Sequence, residues 1–257
     1  MNRCRKIGLA VGLAGLLFLA CFWRTPLGVP ILAYHMVGSE EDRYSVSAEE
    51  FDRQMDYFAK KGYTAVSLQE LADGFAGKIV LPPKPVVITF DDGYNDNYLI
   101  ALPIMEKHGM KGTVFVVAGQ VGQGQYLSWD QIRALQERGT EIGSHTMSHV
   151  ALSDSDKAGQ YREVAESKQL LERELGLPVA FLAYPYGKFT AETVSALQAA
   201  GYRGACAGTP GLNAPGSDLY RLHRVNVPKP RFGLWELRVR LLRAEIYYMF
   251  ETIKNRL

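Results

Sequence analysis

Two short segments hold most of the side chains that could do chemistry. Thr89–Tyr94 reads TFDDGY, and Ser144–His149 reads SHTMSH. Each follows an apolar run that predicts a strand, so the carboxylates and imidazoles stand at strand ends, where α/β enzymes hold metals and general bases. The second segment places two of the five histidines four residues apart.

The residue types suggest a metal and a base. Of the adjacent pair Asp91 and Asp92, one can bind a metal while the other stays free to accept a proton; the alternative is an Asx turn or a helix N-cap. The spacing of His145 and His149 predicts one face of a helical turn, as in zinc-binding pairs. Two imidazoles and one carboxylate leave positions open, which is typical of a catalytic metal site. Two surface histidines after a capping Ser144 are the alternative.

Strand-like and helix-like patterns alternate along the chain. Val86–Phe90 and Thr113–Val117 are near-continuous apolar runs, as expected of buried parallel strands. Ser47–Glu50 and Ser67–Glu70 match the capping box that starts a helix. The pattern predicts seven or eight βα units, which fit either a barrel or a doubly wound sheet. We place one domain at about 28–230.

Both ends of the chain are basic. Residues 7–23 carry no charge and follow Arg3, Arg5 and Lys6, so 1–27 is predicted to be a signal peptide or signal anchor; a buried core helix is the alternative. The protein would then be exported, either anchored to the membrane by its N-terminal segment and facing outward, or secreted if the leader is cleaved.

Residues 231–257 read as an amphipathic basic helix that either packs on the domain or lies on a membrane surface. They carry six Lys/Arg and three Glu, residues 1–24 carry four Lys/Arg and no acid, and the remainder is net negative. That balance argues against nucleic-acid binding. The three cysteines give neither a disulfide framework nor a metal site.

The two chemical segments together resemble the first two motifs of the NodB-homology polysaccharide deacetylases, carbohydrate esterase family four. The resemblance covers about 30–227 and implies a distorted (β/α) barrel of about seven strands. It implies that Asp91 is the general base and that Asp92, His145 and His149 hold a divalent metal. Zinc is favoured, although such a site also accepts cobalt, nickel or iron.

The third motif of that family departs from its usual form. Tyr184–Gly187 reads YPYG, whereas the family usually has Arg-Pro-Pro-Tyr/Phe-Gly, so the arginine that orients the base is absent. We hypothesise that Arg224 replaces it. The resemblance also implies that the backbone N–H of Tyr186 is an oxyanion donor. A Pro-Gly turn with core tyrosines is the alternative interpretation.

Two histidines are candidates for the general acid. His223 matches a leucine-histidine pair in the fifth family motif. His35 follows the first predicted strand, as in a branch that acts on exopolysaccharide N-acetylglucosamine, and the whole chain resembles that branch better. We favour His35; its alternative is a hydrogen-bonded core histidine.

Aromatic residues near the motifs could form a sugar-binding groove. Trp129 is one candidate, with a core anchor as its alternative, and Tyr94, Tyr184 and Pro185 are further substrate-binding candidates.

The predicted function is metal-assisted removal of N-acetyl groups from an N-acetylglucosamine-containing polysaccharide of the cell envelope or matrix. Exopolysaccharide, peptidoglycan and chitin oligomers share the reacting group, so the sequence does not choose among them. A non-catalytic glycan-binding protein and an amidase acting on another amide are the alternatives.

Overall fold

The computed structural model describes residues 27–38 and 42–254. The predicted signal or anchor lies almost wholly outside the described residues. Within them, no helix combines the length and the apolar character that crossing a bilayer requires.

Ten short strands alternate with helices along the chain. The strands are β1 (Ile31–Tyr34), β2 (Met36–Val37), β3 (Ser45–Val46), β4 (Thr64–Ala65), β5 (Pro85–Phe90), β6 (Thr113–Val116), β7 (Glu141–Ser144), β8 (Phe181–Ala183), β9 (Gly204–Cys206) and β10 (Val225–Asn226). The α-helices are α1 (Ala48–Lys60), α2 (Leu68–Phe75), α3 (Leu102–Lys107), α4 (Trp129–Glu137), α5 (Lys157–Leu175), α6 (Ala191–Ala199) and α7 (Leu234–Lys254). A π-helical turn at Asn97–Ala101 leads into α3.

Seven parallel strands form the main sheet, in the order β10-β1-β5-β6-β7-β8-β9, and β4 pairs with the first residues of β5. One chain segment joins the two edges of this sheet. Leu222 forms a parallel bridge with Cys206 of β9, and three residues later Val225 pairs with Leu32 of β1. The sheet is therefore a distorted (β/α) barrel, as predicted.

Side chains point alternately to the two sides of each strand and so form two apolar layers. One set of strand side chains packs against the surrounding helices, for example Ile88 and Leu182. The other set lies in a second cluster that includes Val87, Phe115 and Phe181, and α2 also packs against this cluster. Asp91 has the same alternation as Val87 and Thr89, so its side chain points to the side of the sheet that carries the second cluster.

The helix starts follow the predicted capping residues with one correction. Ser67 and Glu70 form the complete reciprocal box. Ser47 accepts from the Glu50 N–H, but the Glu50 carboxylate bonds Arg53 and Gln54 instead of returning to Ser47. Glu50 is buried, and these side-chain donors satisfy its carboxylate in place of the backbone N–H.

Candidate active site

The predicted base and the three predicted metal-binding residues lie at the carboxyl ends of β5 and β7. Asp91 and Asp92 directly follow β5, and His145 follows β7. Gly93 has a φ of +77°, and a Cβ there would lie 3.3 Å from the Val116 Cα. Because glycine adopts that conformation without steric cost, the chain turns sharply after the two carboxylates and leaves both at one edge of the sheet.

Three side chains form a compact set of donor atoms. The Oδ1 atom of Asp92 lies 3.5 Å from Nε2 of His145 and 3.2 Å from Nε2 of His149. Within the described residues, these three side chains are the one group whose donor atoms are close enough together to bind a single metal ion. Tetrahedral ligands about 2.1 Å from a zinc ion lie about 3.4 Å from one another. The donor set therefore fits a divalent metal and leaves coordination positions open.

The imidazole of His145 is prepared for ligation. Its Nδ1 lies 2.8 Å from the carbonyl oxygen of Ala183, so Nδ1 carries the proton and Nε2 presents its lone pair to the cluster. Burial lowers the pKa of His145, which also favours the neutral ring. For Asp92, burial acts to raise the pKa, but contacts that include the one with His149 outweigh burial, so the pKa is lowered overall.

The two histidines do not lie on a helical turn, so that prediction was wrong. They lie in a loop after β7 in which Thr146 and His149 have φ values of +68° and +60°. The Ser144 Oγ accepts from the Thr146 N–H, and the Thr146 Oγ1 accepts from the His149 N–H. These local bonds fold the loop so that both rings meet Asp92.

Glu163 of α5 also holds this loop and was not anticipated. Its carboxylate accepts the backbone N–H groups of Met147 at 3.0 Å and Ser148 at 2.9 Å. Both donors lie between His145 and His149 in the sequence. The carboxylate therefore fixes the backbone that determines how far apart the two rings lie.

Left-handed backbone is concentrated at this site. In the part of the chain that the structure describes, four residues other than glycine have positive φ: Asp92, Thr146, His149 and Tyr186. Such conformations cost about 1–3 kcal/mol each and persist where surrounding contacts enforce them. The first three belong to the Asp92 cluster or its loop, and the Tyr186 ring lies 4.9 Å from that of His149.

Asp91 forms a buried ion pair with Arg224, the arginine that we hypothesised orients this carboxylate. The guanidinium donates to both carboxylate oxygens, at 2.7 and 2.8 Å, and both side chains are buried. Burial alone would raise the pKa of Asp91, but the positive charge of Arg224 holds that pKa far below its usual range. Asp91 is thus an ionised carboxylate with a fixed orientation.

Only one of the two candidate acids lies beside these carboxylates. His35 follows β1, and the pairing of Tyr34 with Phe90 of β5 places His35 level with Asp91; a charge on His35 lowers the pKa of both Asp91 and Asp92. The structure places His223 elsewhere, with Nδ1 3.1 Å from the Thr209 hydroxyl and Nε2 3.8 Å from Glu251 of α7. Because successive residues of an extended segment point to opposite sides, the chain directs Arg224 inward and His223 outward.

Neighbouring side chains orient His35. Its ring stacks on Tyr44 with the centroids 5.0 Å apart. Its backbone carbonyl accepts from the Asn97 amide at 2.9 Å, and Asn97 is itself buried and bonded to Asp96. Asn97 starts the π-helical turn, a feature that often occurs at functional sites.

The predicted substrate-binding residues have different environments. Tyr94 lies beside Asp92, and burial together with that carboxylate raises its pKa. Trp129 is half-buried and packs against the main core, which is the apolar layer that contains Ile88 and Leu182. This position agrees with the core-anchor alternative. The prediction for Tyr184 and Pro185 is corrected, since both are buried. The Tyr184 side chain points to the same side of the sheet as Leu182, stacks on Phe189 and donates to the Tyr220 carbonyl.

Tyr186 differs from its neighbours because its side chain is exposed. It follows the buried Pro185 and precedes Gly187, whose Cβ position would lie 2.5 Å from the Gly208 Cα. This close approach requires glycine and brings the YPYG turn against the loop after β9. The exposed Tyr186 ring lies 4.9 Å from the ring of His149, at the border of the Asp92 cluster.

Comparison with known proteins agrees with this geometry. Residues 78–205 match the polysaccharide deacetylase family. YxkH of Bacillus subtilis, which carries the same family name, is 33% identical over 202 residues, covering 79% of this chain and 72% of that protein. A poly-beta-1,6-N-acetyl-D-glucosamine N-deacetylase of Staphylococcus epidermidis is 26% identical over 210 residues, covering 76% and 72%.

A solved structure shares the fold of most of the chain. The Streptococcus pyogenes deacetylase PplD, determined with acetate, superposes with a TM-score of 0.78 at 25% identity and covers 84% of this chain and 99% of that one. With the family match and YxkH, this similarity confirms the family, fold and enzyme class predicted from the sequence: the chain belongs to the polysaccharide deacetylases.

Proposed function

We propose that this protein is a metal-dependent hydrolase that removes N-acetyl groups from an N-acetylglucosamine polysaccharide. The observation that carries the proposal is the ionised and buried Asp91, which Arg224 holds in one orientation. It lies beside a separate set of three metal-binding side chains that would leave coordination positions of the metal open. A glycan-binding protein would have no use for a free, oriented base next to its metal.

Asp92, His145 and His149 would hold the metal, with zinc favoured for two imidazoles and one carboxylate. When bound, the metal supplies Lewis-acid chemistry that polarises the acetyl carbonyl and makes a water easier to deprotonate. Asp91 accepts the proton of the attacking water. Arg224 keeps that carboxylate ionised and aimed until the proton arrives.

The remaining steps use residues at the same edge of the barrel. Water adds to the acetyl carbon, and the Tyr186 backbone N–H donates to the resulting oxyanion. The carbon–nitrogen bond then breaks while protonated His35 donates its proton to the leaving amine. The products are acetate and a glucosamine unit. His35 is preferred to His223 because it lies beside both carboxylates.

The substrate we propose is an exopolysaccharide of N-acetylglucosamine. Two observations support it: His35 follows the first strand, and the S. epidermidis relative is named for poly-beta-1,6-N-acetyl-D-glucosamine. We further propose that the protein acts outside the cytoplasmic membrane, because a basic and then apolar segment precedes the domain.

A substrate panel tests this function. Acetate release is measured on β-1,6-linked N-acetylglucosamine oligomers, chitin oligomers and peptidoglycan, with Asp91→Asn as the matched variant. We expect the highest kcat/KM on the β-1,6 oligomers and no turnover by Asp91→Asn, which should still bind them. Preference for either other polymer would overturn the substrate assignment and leave the reaction standing; no release from any of them would overturn the reaction.

A further inference from the structure

The last helix, α7, is apolar on two opposite sides. Its inner side packs on the domain: Leu237 and Ala244 are each 1% exposed, and Leu241 and Tyr248 pack against the main core. A helix with no further role would carry polar residues on the opposite side. Instead that side carries apolar side chains.

Six apolar side chains on the opposite side remain between 37% and 67% exposed. At 3.6 residues per turn they fall within a stripe about 100° wide. We call them the outer stripe: Trp235, Val239, Ile246, Met249, Phe250 and Ile253. They run the length of a 21-residue helix, which is about 30 Å. A contiguous exposed stripe of this size marks an interaction surface.

Positive charge borders the outer stripe. Arg243 and Lys254 are exposed along one border, where the charge of Glu236 is paired with Arg240. Arg238 lies on the other border with Glu245; its guanidinium is 5.5 Å from the Trp235 ring and also contacts Tyr57. The segment 231–257 carries six Lys/Arg and three Glu. An apolar stripe with bordering cations and an interfacial tryptophan is what binding to an anionic lipid surface requires.

We propose that α7 lies on an anionic bilayer surface through its outer stripe. The apolar side chains enter the boundary between headgroups and acyl chains, and the exposed Arg243 and Lys254 pair with lipid phosphates. Two other occupants fit less well because they are basic themselves: the α7 of a second copy brings the same net positive charge, and residues 1–24 carry four Lys/Arg and no acid. This membrane contact is separate from the proposed catalytic function, since α7 contributes no residue to the Asp92, His145 and His149 cluster.

The test follows Trp235 in the full chain reconstituted into vesicles. Lipids with brominated acyl chains quench tryptophan on contact, and subtracting the emission of Trp235→Phe removes the signals of Trp23 and Trp129. We expect Trp235 to be quenched in brominated phosphatidylcholine vesicles that contain phosphatidylglycerol, and much less in phosphatidylcholine alone. Arg243→Gln should weaken this docking by about fivefold.

Matched variants separate docking from folding. Ile246→Glu with Phe250→Glu changes only exposed positions and should abolish the quenching while circular dichroism stays the same. Val80→Glu with Leu99→Glu, which alters exposed apolar residues elsewhere, should leave it unchanged.

Two results would overturn the proposal. If acrylamide quenches Trp235 in anionic vesicles and brominated lipid does not, the stripe simply faces water. If neither agent quenches Trp235, even in neutral vesicles, a second copy or the chain's own N-terminal segment covers the stripe.

Discussion

Replacing Arg224 with methionine would test what holds the base in place. Methionine is of similar length and removes both hydrogen bonds to Asp91, which lie at 2.7 and 2.8 Å. The pair is buried, so the variant leaves a carboxylate without its counter-charge in the interior. Breaking such a pair costs about 3–5 kcal/mol of stability.

The sign of the pH effect follows from the pKa of Asp91. Its pKa is lowered in the folded protein, so the pair contributes stability above the unfolded pKa, near 4, and this is lost as pH falls through the folded value. In Arg224→Met the largest charge that opposes burial is lost, so the pKa of Asp91 rises. The acid limb of kcat/KM should therefore move to higher pH.

The assay is urea denaturation at pH 7 with chelator present, followed by the pH dependence of acetate release with metal. Arg221→Met is the control, because Arg221 is exposed and its ion pair with Asp218 is worth at most about 1 kcal/mol. Combining Arg224→Met with Asp91→Asn should recover much of the lost stability. A loss below about 1 kcal/mol for Arg224→Met, with an unmoved acid limb, would refute the reasoning.

Three further predictions concern the surroundings of the site. Glu163→Ala should weaken zinc binding about 10–100-fold in a chelator competition, whereas the exposed Glu166→Ala should not; equal affinities would contradict the role given to Glu163. Burial raises the pKa of Asp96 to about 7, so stability should fall as pH rises from 4 to 7, and Asp96→Asn should flatten that slope in denaturation at each pH. His35→Gln should lower kcat about 10²–10⁴-fold without changing zinc affinity, and His223→Gln should leave kcat nearly unchanged; the reverse order would assign the acid to His223.

The sequence predicted the elements that local patterns specify. Apolar runs located β5 and β6, and the Ser67–Glu70 box located the start of α2, because burial and capping depend on neighbouring residues. The motif residues at the ends of β5 and β7 followed from the same logic. Parallel strands bring their carboxyl ends to one edge, so separate motifs could be placed together.

Other features depend on contacts that spacing does not encode. The histidine loop was predicted as a helical turn because i, i+4 spacing suits one, but Thr146 and His149 are left-handed. Glu163 lies on a remote helix with no motif to mark it. Tyr184 looked like a groove residue, whereas the alternation of β8 carries its side chain into the core.

The central claim is tested most directly by acetate release from N-acetylglucosamine oligomers during a metal titration of the chelator-treated chain. We predict that activity is absent without metal, rises with added zinc and saturates at one ion per chain, and that Asp91→Asn takes up the same single ion yet releases no acetate. Full activity in chelator, or turnover by zinc-loaded Asp91→Asn, would contradict the account.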